Sequence, residues 1–256
     1  MVLVSPRNPL NIGAVARAMA NFGFNRLSVV APYEAHWREA RSAVGAPQLL
    51  ANARQAASLA EAVRDYTLVL GTGTLTHRKA EQRVVRLGEL APLAEREIHS
   101  GGQIAIVFGP EKRGLTREDL SYCHMLVEIP TDAQQPSMNL GQAAAVCLYE
   151  LATHVSPSNA GSGAAEDRLN PVAPVAKTAH ARNASEAALT SGNLDILAGL
   201  IEEVMVAAEY SPHTMQEANR HDLRLVLRRL HLNAADSRRA LGLFRRILWR
   251  LRLPHS

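Results

Sequence analysis

Three short segments hold side chains whose types and spacing could do chemistry. The first, residues 11–23, carries Asn11 and Arg17; on a helix, Arg17 would share its face with Gly13, Ala14, Ala20 and Asn21. A guanidinium in a stripe of small residues can meet a substrate or another backbone closely, and its planar fork suits a phosphate or a developing oxyanion. The second, residues 107–116, runs from an apolar stretch into Gly109, Pro110, Glu111, Lys112, Arg113 and Gly114. A strand ending in such a loop can offer backbone N–H groups at the carboxyl edge of a sheet. The third, residues 129–141, places Pro136, Ser137, Met138 and Asn139 between an apolar run and an Ala-rich one, as a ligand-wrapping loop would. Each has a plain alternative when taken singly: a solvated arginine on an amphipathic helix, an ordinary strand-to-helix turn, and a helix N-cap at Asn139. No GxxxxGK[ST] loop is present, and Gly71-Thr72-Gly73 is too short for a GxGxxG dinucleotide loop.

The elements that must position these groups follow from periodicity. Apolar runs at 2–4, 26–30, 67–70, 104–108 and 125–129 read as strands. Helical spacing appears at 11–22, where Ile12, Val15, Met19 and Phe22 form the apolar side, and at 42–52 and 58–64. Thr116 with Asp119 makes a capping box, and Asn139, with Gln142 placed to reach back, opens a helix to about residue 154. Apolar strands alternating with helices predict an α/β domain over residues 1–155, a mainly parallel sheet flanked by helices. Residues 156–192 have linker composition, rich in Ser, Pro, Gly and Asn. Residues 193–256 read as a small all-α domain: a seam of Leu194, Leu197, Ile201, Val204 and Ala208, then two basic helices.

With 256 residues and 47% hydrophobic side chains, the chain can bury one large core plus a small satellite. Cys123 and Cys147 show no CxxC spacing and read as reduced structural thiols, with no metal site expected. The opening residues hold Ser5, Pro6, Arg7, Asn8 and Pro9 and no apolar leader, and no run approaches about 20 apolar residues. A cytoplasmic protein is expected. Because the chain enters its first strand at once, a native start further upstream, or a weak first strand, is expected. From Arg220 onward ten arginines face only Asp222 and Asp236, a net +8 within a chain of net +4. Such a localised charge points to a nucleic-acid partner. Arg220, Arg224 and Arg228, at i, i+4 and i+8, are expected to form a phosphate-tracking ridge, the alternative being a solvated helix face.

In order and spacing, the segments 11–23, 109–116 and 129–141 together resemble the three motifs of the SPOUT methyltransferases, specifically the TrmJ-type branch that methylates a ribose in the tRNA anticodon loop. The resemblance covers roughly residues 1–155 and extends more loosely to the basic tail. It implies a C-terminal trefoil knot, which patterning alone does not propose, since threaded chains are essentially absent from folds. It implies S-adenosylmethionine as cofactor, held by Thr72, Gly73, Thr74, Gly109, Ile129, Pro136, Ser137 and Met138. It implies a homodimer in which Arg17 of one subunit faces the cofactor of the other, with Asn11, Glu111, Ser137 and Asn139 orienting ribose and cofactor. The reaction implied is 2′-O-methylation of RNA, at a pyrimidine in position 32 of tRNA. Alternatives are a ribosomal RNA enzyme of the same fold and a non-catalytic RNA-binding module. The chain departs from the branch at Pro110 and Lys112, where arginine is common, and in the variable stretch Gln134-Gln135-Pro136.

Overall fold

The computed structural model describes residues 1–73, 80–154 and 189–253. Seven strands, β1 (Val2–Val4), β2 (Ser28–Val30), β3 (Arg54–Ala56), β4 (Leu68–Thr72), β5 (Arg83–Arg86), β6 (Ile104–Phe108) and β7 (Met125–Glu128), form one sheet in the order β3-β2-β1-β6-β4-β7-β5. Every pairing is parallel. Helices α1 (Pro9–Asn21), α2 (Pro47–Ala51), α3 (Leu59–Val63), α4 (Leu90–His99), α5 (Arg117–Ser121) and α6 (Leu140–His154) flank it.

Strict alternation along the strands feeds two cores. Leu3, Val29, Leu70, Ile106 and Val127 point to one face, where Ile12, Val15 and Met19 of α1, Leu90 of α4 and Leu148 of α6 cover them. Val2, Val4, Val30, Val69, Val107 and Leu126 point to the other, under Leu59 and Val63 of α3 and Leu115. Burying each of these Leu, Ile or Val side chains is worth about 1.5–3 kcal/mol. Covering both faces is why the central strands read as unbroken apolar runs.

The expected strands are all present, with two more at the sheet edges, β3 and β5. Their charged ends, Arg54 and the pair Arg83 and Arg86, hide them from an apolar-run criterion, yet suit edges that must not recruit another chain. The helix expected over 42–52 is shorter: Gly45 takes a positive φ of 78° and Pro47 starts α2, so only Pro47–Ala51 is helical. α4 was not anticipated; its Pro92 lies in the first turn, where no intrahelical N–H is lost.

Helices α7 (Ser191–Ala207), α8 (Gln216–Arg229) and α9 (Ala234–Leu251) share a third cluster of Leu194, Leu197 and Leu227 with Ile201, Leu223, Leu241 and Phe244. α7 begins within the stretch expected to be linker, residues 155–188 of which lie outside the described residues. Its first turn is tied to the sheet domain, Ser191 N–H donating to Tyr66 O at 2.7 Å and Gly192 N–H to Arg64 O at 2.9 Å. The expected knot depends on how the chain after β7 passes the connection from β4 to β5, and residues 74–79 of that connection lie outside the described residues. Among the described residues no helix is long and apolar enough to cross a membrane.

Candidate active site

Three neighbouring strands, β6, β4 and β7, deliver their carboxyl ends to one side of the sheet, the edge where open α/β sheets bind ligands. There a cleft of about 220 Å³ opens among Thr72, the last residue of β4, and Gly73, Phe108 at the end of β6 and the loop to Gly114, Ile129 after β7, and Pro136, Ser137 and Met138 ahead of α6. All the expected cofactor residues but one therefore line a single cleft. Thr74 lies outside the described residues. The Thr72 hydroxyl is turned away, donating to Val107 O at 3.0 Å, so this residue offers the cleft its backbone. The Ser137 hydroxyl is exposed and bonds to nothing among the described residues.

The loop after β6 is folded tightly on itself. A Cβ on Gly109 would lie 2.2 Å from Leu115 N and 2.3 Å from Gly114 C, and Gly114 has a φ of +63°. Both contacts are to backbone, so no side-chain rotation could relieve them. Thr116 and Asp119 form the expected capping box, which pins the far end of the loop to α5.

Glu111, inside this loop, ties the three segments together. Its carboxylate accepts from Arg7 N–H at 3.1 Å, from Asn8 N–H at 3.2 Å and from Asn11 Nδ2 at 2.8 Å. Asn139 Nδ2 donates in turn to Asn11 Oδ1 at 3.0 Å, and Asn139 Oδ1 accepts from Gly141 N–H at 2.9 Å, capping α6. The carboxylate sets the order of this chain: it can only accept, so Asn11 must present its NH2, which leaves its oxygen for Asn139. Partial burial works to raise the Glu111 pKa, but the bonds from Asn11 and the backbone outweigh it and hold the pKa below its ordinary value. The arrangement leaves one N–H of Asn11 and one of Asn139 for other acceptors.

Arg17 lies on the exposed side of α1 and makes no hydrogen bond or ion pair among the described residues. The small-residue stripe expected beside it is only partly open. A Cβ on Gly13 would meet Ser42 Oγ at 2.2 Å, and Ala14 Cβ sits 2.8 Å from where Gly141 would carry one. Those two residues are consumed by packing within the chain, leaving Ala20 and Asn21 exposed beside the arginine.

The arginine ridge on α8 requires a correction. Arg220 forms a fork with Glu202, Nε to Oε2 at 2.9 Å. Arg224 pairs with Glu118 and stacks 4.3 Å over the Tyr122 ring. Arg228 is 2% exposed and bonds to Asp195 at 2.9 Å and Ser191 at 3.0 Å. All three spend their charge on acids of α7 or of the sheet domain, and the face they share is a docking face. Nearby, Glu81, His221 and Asp222 cluster closely enough to suggest a metal, but Arg117 already supplies the cation, 3.2 Å from Glu81 and 3.7 Å from Asp222.

Sequence reasoning missed the part played by Arg7 and Asn8, whose backbone N–H groups anchor Glu111. The signal was present in Ser5-Pro6-Arg7-Asn8-Pro9, a turn directly after a strand. Thr131, Leu140 and Ala143 also line the cleft unannounced.

Comparisons with known proteins identify the family and support the fold. The profile of the SpoU rRNA Methylase family matches residues 1–149. The chain is 37% identical over 156 residues to the tRNA (cytidine-2′-O-)-methyltransferase TrmJ of Methanocaldococcus jannaschii, covering 60% of this chain and 66% of that one. It is 35% identical over 172 residues to LasT of Escherichia coli, named an uncharacterized tRNA/rRNA methyltransferase, covering 66% and 75%. The crystal structure of TrmJ from Z. mobilis ZM4 superposes with a TM-score of 0.76 at 26% identity, covering 96% of this chain and 97% of that one. The chain spans just under two thirds of the M. jannaschii relative, 66%.

Proposed function

The chain belongs to the SpoU rRNA Methylase family, and from that premise we propose that it moves a methyl group from S-adenosylmethionine to a ribose 2′-hydroxyl of tRNA. The observation that carries the reading is the convergence of residues from three separate segments on one cleft at the sheet's carboxyl edge. The donor set fits the cofactor: Phe108, Ile129, Met138 and Leu140 give apolar walls for a purine, while strand-end backbone at Thr72, Gly73 and Gly109 gives it polar partners. When bound, S-adenosylmethionine supplies a methyl group on a cationic sulfur, ready for in-line attack by an oxygen.

The protein's own residues have to prepare that oxygen, because an ordinary hydroxyl is a poor nucleophile at neutral pH. Arginine holds its proton in almost any protein site, so Arg17 acts as an electrostatic clamp on the adjacent phosphate and on the developing alkoxide, while the hydroxyl proton is lost to solvent water and the sulfur departs as a neutral thioether. Asn11 and Asn139, aligned through Glu111, direct their spare N–H groups at the ribose, and the free Ser137 hydroxyl does the same. The protein works as a homodimer, with Arg17 reaching a partner's cleft. In support, Arg17 has no partner within its own described chain, and Leu10, two turns earlier on the same helix face, is 54% exposed. The C-terminal part of the sheet domain, after β7, is taken to form the knot that the resemblance implies. The buried Cys123 and Cys147 suit a reducing cytoplasm.

The tRNA assignment follows the cytidine-directed tRNA enzyme of M. jannaschii; the target within tRNA is taken from the motif resemblance, a pyrimidine at position 32 of the anticodon loop. Ribosomal RNA is the second reading, favoured by the family's own description. Mass spectrometry of nucleosides from tRNA and rRNA of a strain lacking this protein distinguishes them. Loss of one 2′-O-methylpyrimidine from tRNA alone is expected; loss from rRNA alone would overturn the tRNA assignment, and loss from neither would overturn the function.

A further inference from the structure

Helix α9 presents a face that no other part of the described chain covers. Its Leu241, Phe244 and Leu248 turn inward toward the third cluster and α7. Around the remaining, solvent-facing side stand Arg238, Arg239, Arg245, Arg246 and Arg250, all exposed, with Trp249 among them at 62% exposure. At 3.6 residues per turn, Arg245, Arg238, Trp249 and Arg246 fall within about 100° of helix surface. Arg239 pairs with Asp236, the lone acid of this helix, at 3.3 Å, and Arg238 Nε donates to Ala234 O at 3.2 Å. Arg245, Arg246 and Arg250 have no ion pair among the described residues. Here, unlike on α8, the charge is unspent, and an indole lies in solvent among cations that repel one another.

We infer that this face binds RNA, its arginines against phosphates and the Trp249 indole stacked on an unpaired base. The inference rests on the RNA methyltransferase reading and deepens it by assigning the surface that holds the substrate. Arginine forks match phosphate oxygens, and base-on-aromatic stacking tolerates any base. A second copy of this chain would set arginines against arginines across a twofold axis. A bilayer requires a broad apolar helix face; the main one of α9 is packed against α7, and outside it Leu243 and Trp249 stand singly between arginines. A single-stranded loop of a polyanion satisfies both the charge and the ring.

The chain has two tryptophans, and Trp37 is fully buried, so quenching of indole emission on RNA addition reports Trp249. The experiment titrates full-length wild type, Trp249→Phe, Trp249→Ala and the pair Arg246→Ala/Arg250→Ala with an unmodified tRNA transcript at several salt concentrations. S-adenosylmethionine affinity is followed by calorimetry in parallel. Quenching is expected in wild type. Trp249→Phe should stay within a few-fold in affinity, and Trp249→Ala should fall by roughly 5- to 150-fold. The paired arginine variant should flatten the slope of log affinity against log salt by about 1.4–1.8. Unchanged affinity and slope in the variants, with wild type still methylating tRNA, would overturn the α9 assignment and leave the enzymatic reading standing. A wild type that binds neither cofactor nor RNA would overturn both. Wild type that binds vesicles of anionic phospholipid but not the transcript would also sink the RNA assignment.

Discussion

Replacing Glu111 with Gln removes one charge and nearly no volume, and it strikes the group on which the three site segments converge. In the wild type a carboxylate collects three N–H donors, two from backbone at Arg7 and Asn8 and one from Asn11. Gln offers one oxygen, and its NH2 must face a donor. Hydrogen bonds to a charged group are worth roughly 1.5–3 kcal/mol when shielded. Glu111 is exposed, so solvent screening reduces the expected net loss to about 1 kcal/mol. For a chain of this size that is a fall of about 2–4 °C in Tm at pH 7. Looser anchoring of residues 109–114 should also weaken S-adenosylmethionine binding by about tenfold. The pH dependence has a definite sign. The folded-state value lies below the ordinary 4.5, so the stabilisation is complete above that pH and is lost as pH falls through the folded value. Below it wild-type Glu111 is neutral as well, and the difference between the two proteins should close. Scanning calorimetry at pH 7 and at successive steps into acid, with cofactor titration at pH 7, measures both effects. Equal stability at pH 7, or a gap of unchanged size in acid, would refute the claim that charge-assisted bonds to Glu111 organise the site.

Other perturbations separate further parts of the account. Gly109→Ala drives a methyl group into the backbone at Leu115 and Gly114, so cofactor binding should fall below detection by calorimetry; near-normal affinity would show that the loop can open without cost. Arg17→Lys keeps the charge and removes the fork, so methyl transfer should drop at least tenfold while cofactor affinity holds; full activity would argue against the bidentate clamp. Burial pushes the Cys123 and Cys147 thiols up to about 12, so neither should react with a thiol reagent at pH 7.5 until the protein is denatured. His124 is held neutral by burial and by the nearby Arg228, its value lowered to about 3, and its Nδ1 accepts from Val69 N–H at 3.0 Å. Unfolding lets it take up a proton below pH 6.5, so wild-type stability should fall by about 1 kcal/mol per pH unit as pH drops from 6 toward 4. His124→Asn should show a shallower slope in urea titrations, and an identical slope would remove His124 from the account.

The central strands were legible because a strand buried on both faces must be apolar throughout, as 104–108 is. The edge strands were not, because β3 and β5 need pairing on one side only and carry Arg54, Arg83 and Arg86 where a central strand could not. The Glu111–Asn11–Asn139 chain joins residues 100 and 128 positions apart. No local pattern encodes such contacts; the resemblance of three ordered motifs named the residues but not the bonds among them. The α8 arginines show the opposite limit. Their spacing was read correctly as one face, but spacing does not say whether that face meets water or protein. Glu202, Glu118 and Asp195, which decide the matter, are brought to α8 only by packing. The α9 arginines carry the same kind of spacing and find almost no acids, and only the folded chain distinguishes the two helices.

The most direct test of methyl transfer to ribose incubates the purified protein with methyl-labelled S-adenosylmethionine and unmodified tRNA, then digests the RNA to nucleosides for mass spectrometry. Label is expected on a ribose 2′-oxygen of one pyrimidine, in a dinucleotide that resists alkaline hydrolysis, and Arg17→Ala should abolish it. Label on a base, or none on RNA while the protein still binds the methyl donor, would contradict the account.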